Sequence, residues 1–197
     1  MISKEDYYKA TETICSACKE IYGKELLSVI LYGSVTVGGF VPSSYWTDID
    51  FLVVLKPMTE HQIRKEEGRL EEVSLRVADQ HPWLKGSSGY ALVGYSLETE
   101  ESLTRKKLDF GYPVIWLNGV LDAYRILSGQ DVLKSLQPIR IRKLDALYAL
   151  MTTRRHQLMW QTEWKREKGK KEICVREAMP IIQDCIFAAK NFLHYHG

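Results

Sequence analysis

The chain has 197 residues, of which 45% are hydrophobic and 26% charged, a composition typical of a folded protein with a sizeable core. Its 27 basic and 25 acidic residues give a net charge of +2, so no strong field directs it to nucleic acid or to a membrane surface. The sequence contains no signal peptide and no apolar run near the length of a membrane span, which predicts a cytoplasmic protein without a membrane partner.

The first predicted helix covers residues 3–22, with Ser3 as N-cap and Gly23 as the C-terminal stop. Cys15 and Cys18 have the spacing of a redox or zinc pair, but both fall within this helix. The other two cysteines of the chain are too far apart to complete a two-pair zinc site; they are Cys174 and Cys185. We therefore favour reduced thiols over a metal site.

Two buried strands follow, and polar residues stand where the first ends and the second begins. The first strand is Leu26–Tyr32, and it ends in Gly33-Ser34. The second starts with Asp48 and Asp50 and runs to Leu55. The residues between the strands predict a loop because they include Gly38, Gly39, Pro42, Ser43 and Ser44.

The spacing of the two aspartates has a chemical consequence. Residues i and i+2 of a strand point to the same face, so Asp48 and Asp50 project together, with Cα atoms roughly 6.5 Å apart, while Ile49 points into the core. Two carboxylates on one face can bind a hard divalent cation such as Mg²⁺. Gly33 permits a tight turn, and Ser34 offers N–H and hydroxyl groups to a phosphate.

Gly33-Ser34, thirteen residues, and then Asp48-Ile49-Asp50 before a hydrophobic run resemble the signature of the polymerase-β-like nucleotidyltransferases. Within them, the sequence from Leu31 to Leu55 is most similar to the streptomycin/spectinomycin adenylyltransferases. This resemblance implies that Asp48 and Asp50 are catalytic and bind two Mg²⁺ ions. It also implies that Gly33, Ser34 and Thr47 bind the nucleotide, which is ATP or another nucleoside triphosphate.

The resemblance and the order of elements predict the α+β fold class. The N-terminal nucleotidyltransferase domain would be a small mixed sheet flanked by helices over residues 1–115, followed by a C-terminal α-helical domain over residues 116–197. The remaining elements agree with this division. Those of the first domain are a helix from a capping box at Thr59 to about Gln80, a third strand at 90–97 and an exposed charged loop from Glu98 to Lys107. After them come a helix over about 117–127, a long helix from near Ile139, and a last helix over about 172–194.

The resembled family carries a third acid on its third strand, and residues 90–97 contain none. Glu98, at the end of that strand, is the nearest candidate for a general base, and Asp109 is another. Two alternatives stay open: a base from the helical domain, or a site without catalytic power.

Arg155 is the candidate phosphate ligand of the helical part. The predicted apolar stripe of the long helix consists of Leu144, Leu147, Tyr148, Met151 and Leu158. Arg155 falls on this stripe, where an arginine either extends to water, pairs with an acid, or binds the triphosphate.

The predicted function is Mg²⁺-dependent transfer of a nucleoside monophosphate, AMP from ATP being favoured, to a hydroxyl of a small molecule such as an aminoglycoside-like antibiotic. An antibiotic-resistance enzyme is the corresponding biological role. The near balance of charges argues against a nucleic-acid acceptor, and the acids Glu98, Glu100, Glu101 and Asp109 favour a cationic one. The alternatives are a weak or inactive binding module of the same fold and a protein-modifying adenylyltransferase.

Overall fold

In a computed structural model of the protein, the described residues are 2–33, 36, 48–85, 93–105, 114–166 and 175–196. The chain divides into two compact units. The first, here the sheet unit, comprises Met1–Tyr112 and Leu117–Pro138, and the second, here the helical unit, comprises Pro113–Trp116 and Ile139–Gly197. None of the helices in the described part of the chain is both long enough and apolar enough to cross a membrane.

The sheet unit contains a four-stranded mixed sheet, which confirms the predicted α+β class. Its strands are β1 (Leu26–Tyr32), β2 (Ile49–Leu55), β3 (Val93–Thr99) and β4 (Tyr124–Gly129), in the spatial order β3-β2-β1-β4. β1 pairs antiparallel with both β2 and β4, whereas β2 and β3 are parallel. The parallel pair requires a crossover connection, and a helix between β2 and β3 supplies it.

The described helices are α1 (Lys4–Tyr22), α2 (Glu60–Gln80), α3 (Glu100–Arg105), α4 (Val114–Asp122), α5 (Lys143–Arg166) and α6 (Val175–His196). Two of them begin with capping boxes; the sequence predicts the box at Thr59, and at Ser3 it predicts an N-cap. The Ser3 hydroxyl accepts a hydrogen bond from the Asp6 N–H at 3.1 Å, and the Asp6 carboxylate accepts one from the Ser3 N–H at 2.9 Å. Thr59 and Gln62 make the same reciprocal pair at the start of α2.

α1 and α2 cover one face of the sheet and form the main core with it. The odd-numbered side chains of β2, such as Ile49, Phe51 and Val53, are fully buried in this core. Alternation along the strand therefore directs Asp50 to the opposite face, as predicted.

The third strand and the segment after it differ from the prediction. β3 extends to Thr99, so the predicted exposed loop from Glu98 begins within a strand, and α3 follows at once. Thr99 and Ser102 explain this, because each donates its N–H to the hydroxyl of the other at 3.1 Å and thereby caps α3. Residues 90–92 and 106–107 lie outside the described part.

The helix predicted over residues 117–127 is also only partly correct. α4 ends at Asp122, and Tyr124–Gly129 pairs with β1 as an edge strand. A short apolar run fits a helix and a strand equally well in sequence, and here the free edge of β1 is the deciding partner. The division into domains at residues 115 and 116 stays a prediction; in the structure β4 belongs to the sheet unit.

The helical unit packs α5 against α6 through small and polar residues. Ala146, Ala149 and Thr153 are buried on α5, and the Thr153 hydroxyl accepts a hydrogen bond from the Asn191 amide of α6 at 3.3 Å. The predicted apolar stripe is wrong, because its five residues are between 42% and 71% exposed; they are Leu144, Leu147, Tyr148, Met151 and Leu158. The side chains at a contact between two helices set how closely the helix axes approach. The small residues Ala146 and Ala149 allow their face of α5, and not the apolar stripe, to pack.

Candidate active site

Asp50 lies in the middle of the sheet, on a strand with neighbours on both sides. In the pairing register it stands opposite Tyr32 of β1 and beside Gly94 of β3. Asp48 directly precedes the first residue of β2, and both aspartate side chains are partly buried. The two carboxylates thus lie near the end of the strands at which β1 ends and β2 begins.

Two glycines make room for the Asp50 carboxylate. A β-carbon added at Gly33 would lie 2.7 Å from Asp50 Oδ2, and one added at Gly94 would lie 2.1 Å from Asp50 Oδ1. Gly33 also has a φ of +87°, a backbone conformation that side chains disfavour. The glycine predicted to serve a phosphate therefore also has a steric role next to the candidate metal ligand.

Tyr32 of β1 is the residue paired with Asp50 in the sheet. The Tyr32 hydroxyl and the Ser96 hydroxyl are 3.1 Å apart, although β2 lies between their strands. Tyr32 stands opposite Asp50, and Ser96 stands beside Leu52. The tyrosine side chain consequently crosses β2 on the face that carries Asp50.

The two carboxylates are held in a place that disfavours their charge. Burial raises the pKa of Asp48, and burial followed by the neighbouring charge of Asp48 raises the pKa of Asp50 to about 7. A divalent cation would relieve both effects, and carboxylate oxygens are the donors that Mg²⁺ prefers, so these residues fit the ion. Within the described ranges, no group of three or more His, Cys, Asp or Glu side chains is arranged to hold a metal.

Tyr7 of α1, which the sequence did not single out, responds electrostatically to this site. Burial raises its pKa, and the charges of Asp50 and Asp48 raise it further, whereas Arg125 of β4 acts in the opposite direction. Tyr7 therefore lies in the electric field of both aspartates. In sequence it is one apolar position of an amphipathic helix, and no local signal separates it from the other core residues.

The candidate third acid, Glu98, is not beside the pair. Asp50 neighbours Gly94, and Glu98 neighbours Val54, so Glu98 is four residues further along the parallel strands, about 13 Å away. Its side chain is 0% exposed, and its Oε2 accepts a hydrogen bond from the Ser102 hydroxyl at 2.6 Å. Asp109 lies outside the described residues.

The other predicted site residues are distributed as follows. Ser34 and Thr47 lie outside the described residues, and Arg155 is exposed on α5 of the helical unit. Thr36, which the sequence did not single out, has its hydroxyl 2.7 Å from the Gly33 carbonyl oxygen and 3.0 Å from that of Ala123. It ties the turn after β1 to the connection between α4 and β4.

Comparison with known proteins identifies the fold. No protein-family model and no curated protein sequence matches the chain. The spectinomycin adenyltransferase AAD(9) from Enterococcus faecialis, solved with ATP and spectinomycin, matches with a TM-score of 0.53 and 13% identity over 96% of this chain and 88% of that one. A toxin-antitoxin solved with AMP-PNP matches over 89% of this chain and 98% of that one, with 15% identity and a TM-score of only 0.37. The chain therefore has the nucleotidyltransferase fold of the first of these structures.

Proposed function

We propose that the protein is a nucleotidyltransferase that moves AMP from ATP to a hydroxyl group of a small molecule. The observation that carries the proposal is the pair Asp48 and Asp50 beside the Gly33 turn, in a chain with the nucleotidyltransferase fold. In the proposed reaction the acceptor oxygen forms a bond to the α-phosphorus. The bond from that phosphorus to the bridging oxygen breaks, pyrophosphate leaves, and the hydroxyl proton passes to a base.

Each site residue has a proposed task. Asp48 and Asp50 would hold Mg²⁺, with two ions expected. When bound, Mg²⁺ would stabilise the negative charge on the attacking and leaving oxygens. Gly33 and Ser34 would bind the outer phosphates through the turn after β1, and Thr47 would assist beside the first aspartate. Arg155 would bind the triphosphate, and its exposed side chain leaves the guanidinium available to a ligand.

The proposed acceptor is a small, hydroxylated and cationic molecule such as an aminoglycoside. Support comes from the net charge of +2, which gives no basis for neutralising many phosphates, and from the spectinomycin bound to the similar structure. Glu98 no longer contributes to this argument because it is buried, whereas Glu100 is exposed.

The test is to incubate the purified protein with Mg²⁺, labelled nucleoside triphosphates and a panel of aminoglycosides, with tRNA and single-stranded oligonucleotides in parallel. We expect Asp48→Ala and Asp50→Ala each to abolish transfer while the protein stays folded, and Arg155→Ala to raise KM for the nucleotide. Asp122→Ala, which removes an exposed carboxylate from α4, is the matched control. Wild-type turnover in either aspartate variant, or modification of RNA alone, would contradict the proposal.

A binding module without turnover is the second candidate, and a specific observation favours it. The position beside Asp50 on β3 is a glycine, and the nearest acid on that strand is buried elsewhere. Tight binding of ATP with Mg²⁺, lost in Asp50→Ala, together with no transfer to any acceptor or protein, would support this candidate over the enzyme.

A further inference from the structure

Gly94 is the position where the sheet comes closest to the candidate metal ligand. A β-carbon at this residue would lie 2.1 Å from Asp50 Oδ1 and 3.3 Å from Asp50 Cγ, but an ordinary 3.9 Å from Asp50 Cα. The first distance is far below any normal contact between carbon and oxygen. The carboxylate therefore occupies the space in which every other residue would begin its side chain.

Glycine in the interior of a strand is unfavourable unless something requires it. It has no side chain to pack and loses more conformational freedom on folding than other residues do. Gly94 has β2 as its neighbour and lies in the parallel part of the sheet, where β-branched residues would be more favourable. Close approach of a group to the backbone is a usual reason for such a glycine, and here that group is the carboxylate of Asp50.

We propose that Gly94 is a positioning residue that sets the direction of the Asp50 carboxylate by letting it lie across the backbone of β3. This inference rests on the proposed function of Asp50 as a metal ligand. A side chain at residue 94 and the present orientation of Asp50 are mutually exclusive, so a third acid at this position would displace the carboxylate.

The identity of the atom that would have to move makes the inference testable. Asp50 Oδ1 is the end of a side chain, whereas Asp50 Cα would be in ordinary van der Waals contact with the added β-carbon, at 3.9 Å. Gly94→Ala should therefore leave the strand pairing intact and turn the carboxylate away. Gly33 is less suitable for the experiment, because its φ of +87° adds backbone strain to the same clash.

The experiment measures binding of Mn²⁺ alone to the full chain, by the electron paramagnetic resonance signal of the free ion. Mn²⁺ accepts the same oxygen ligands as Mg²⁺ and is visible in this measurement. We expect Gly94→Ala to weaken Mn²⁺ binding by roughly 10- to 100-fold, the range found when a group that orients a metal ligand is removed. The control is Gly68→Ala in α2, where an added β-carbon meets no atom within 4 Å, and Mn²⁺ binding should be unchanged.

A double-mutant cycle covers the case in which Gly94→Ala destabilises the protein. The melting temperature is compared for the wild type, Gly94→Ala, Asp50→Ala and the double variant. If the β-carbon acts only through the carboxylate, alanine at residue 94 lowers the melting temperature in the wild-type background and not in the Asp50→Ala background. An equal decrease in both backgrounds would mean that β3 itself requires glycine, and it would overturn the inference.

The results separate this inference from the proposed function. If Asp50→Ala binds Mn²⁺ as tightly as the wild type, the metal site itself is refuted and the inference fails with it. If Asp50→Ala loses Mn²⁺ binding while Gly94→Ala keeps it at the wild-type level, the metal site is supported and the positioning role of Gly94 is refuted.

Discussion

Asp50 is an acidic residue at a position where most sheets bury an apolar side chain. Its neighbours along β2, Ile49 and Phe51, are fully buried, and its carboxylate occupies the space that side chains at residues 33 and 94 would need. A carboxyl group whose pKa is raised to about 7 in such a place lowers stability at neutral pH. Groups of this kind concentrate at functional sites, which agrees with the proposed role of Asp50.

Glu98 differs from Asp50 because its burial has a structural explanation, the hydrogen bond from the Ser102 hydroxyl. We expect Glu98→Gln to leave turnover and its dependence on pH unchanged, since the carboxylate is about 13 Å along the sheet from Asp50. Glu98→Ala should lower the free energy of unfolding by about 1–3 kcal/mol, because it removes an acceptor from the buried Ser102 hydroxyl. Chemical denaturation and pH–rate profiles of both variants test this.

The prediction would be contradicted if the pH–rate profile of Glu98→Gln no longer showed the titration of a general base while the stability of the protein stayed unchanged. Such a result would return Glu98 to the role of general base that the sequence left open.

At the scale of elements, the turn after β1 depends on one threonine. The Thr36 hydroxyl reaches the carbonyl oxygens of Gly33 and Ala123, so it joins the loop that starts at Gly33 to the end of α4. Thr36 is thereby linked both to the end of β1 and to the residue that follows α4.

We expect Thr36→Val to keep the shape of the side chain, lower the free energy of unfolding by about 1 kcal/mol, and raise KM for the nucleotide more than it lowers kcat. The reason is that residue 36 would lose its side-chain hydrogen bonds to the carbonyl oxygens of Gly33 and Ala123 without a change in side-chain volume. Thr104→Val in α3, which removes an exposed hydroxyl that bonds only within its own helix turn in the described contacts, is the control. Equal effects of the two variants on KM would argue against a role of Thr36 in the site.

The partly buried aspartates link the stability of the whole protein to pH and to metal. The folded state holds the proton of Asp50 up to about pH 7, whereas the unfolded chain releases it near pH 4. Between these values the folded state binds more protons, so the contribution of Asp50 to stability falls as the pH rises, by at most about 4 kcal/mol.

We therefore expect Asp50→Asn to stabilise the metal-free protein more at pH 8 than at pH 5. Comparing the two proteins at each pH isolates this residue from carboxylates such as Asp6 and Asp145, whose lowered pKa values act in the opposite sense. Mg²⁺ should raise the melting temperature of the wild type at pH 8 and have no such effect on the variant. Thermal unfolding with a chelator and with Mg²⁺ provides the measurement, and a stabilising effect of Asp50→Asn that is the same at both pH values would refute the prediction.

Features that depend on residues close together in the chain follow from the sequence alone. The capping boxes at Ser3 and Thr59 form because donor and acceptor are three residues apart, so helix starts were readable from the sequence. The direction of Asp50, away from Ile49 and the core, follows from the two-residue period of a strand, and the resemblance of the motif around it implied the nucleotidyltransferase fold.

Features that depend on contacts between distant segments become visible only in the folded protein. Gly94 is 44 positions from Asp50 in the chain, and only the parallel pairing of β2 and β3 reveals that it stands beside the carboxylate. Pairing with β1 turned residues 124–129 into a strand, and packing through Ala146 and Ala149 left the more apolar stripe of α5 exposed. A local sequence pattern indicates which faces of a helix or strand can be buried. Which face is buried depends on the free energy of packing against a partner element, and that partner is distant in the sequence.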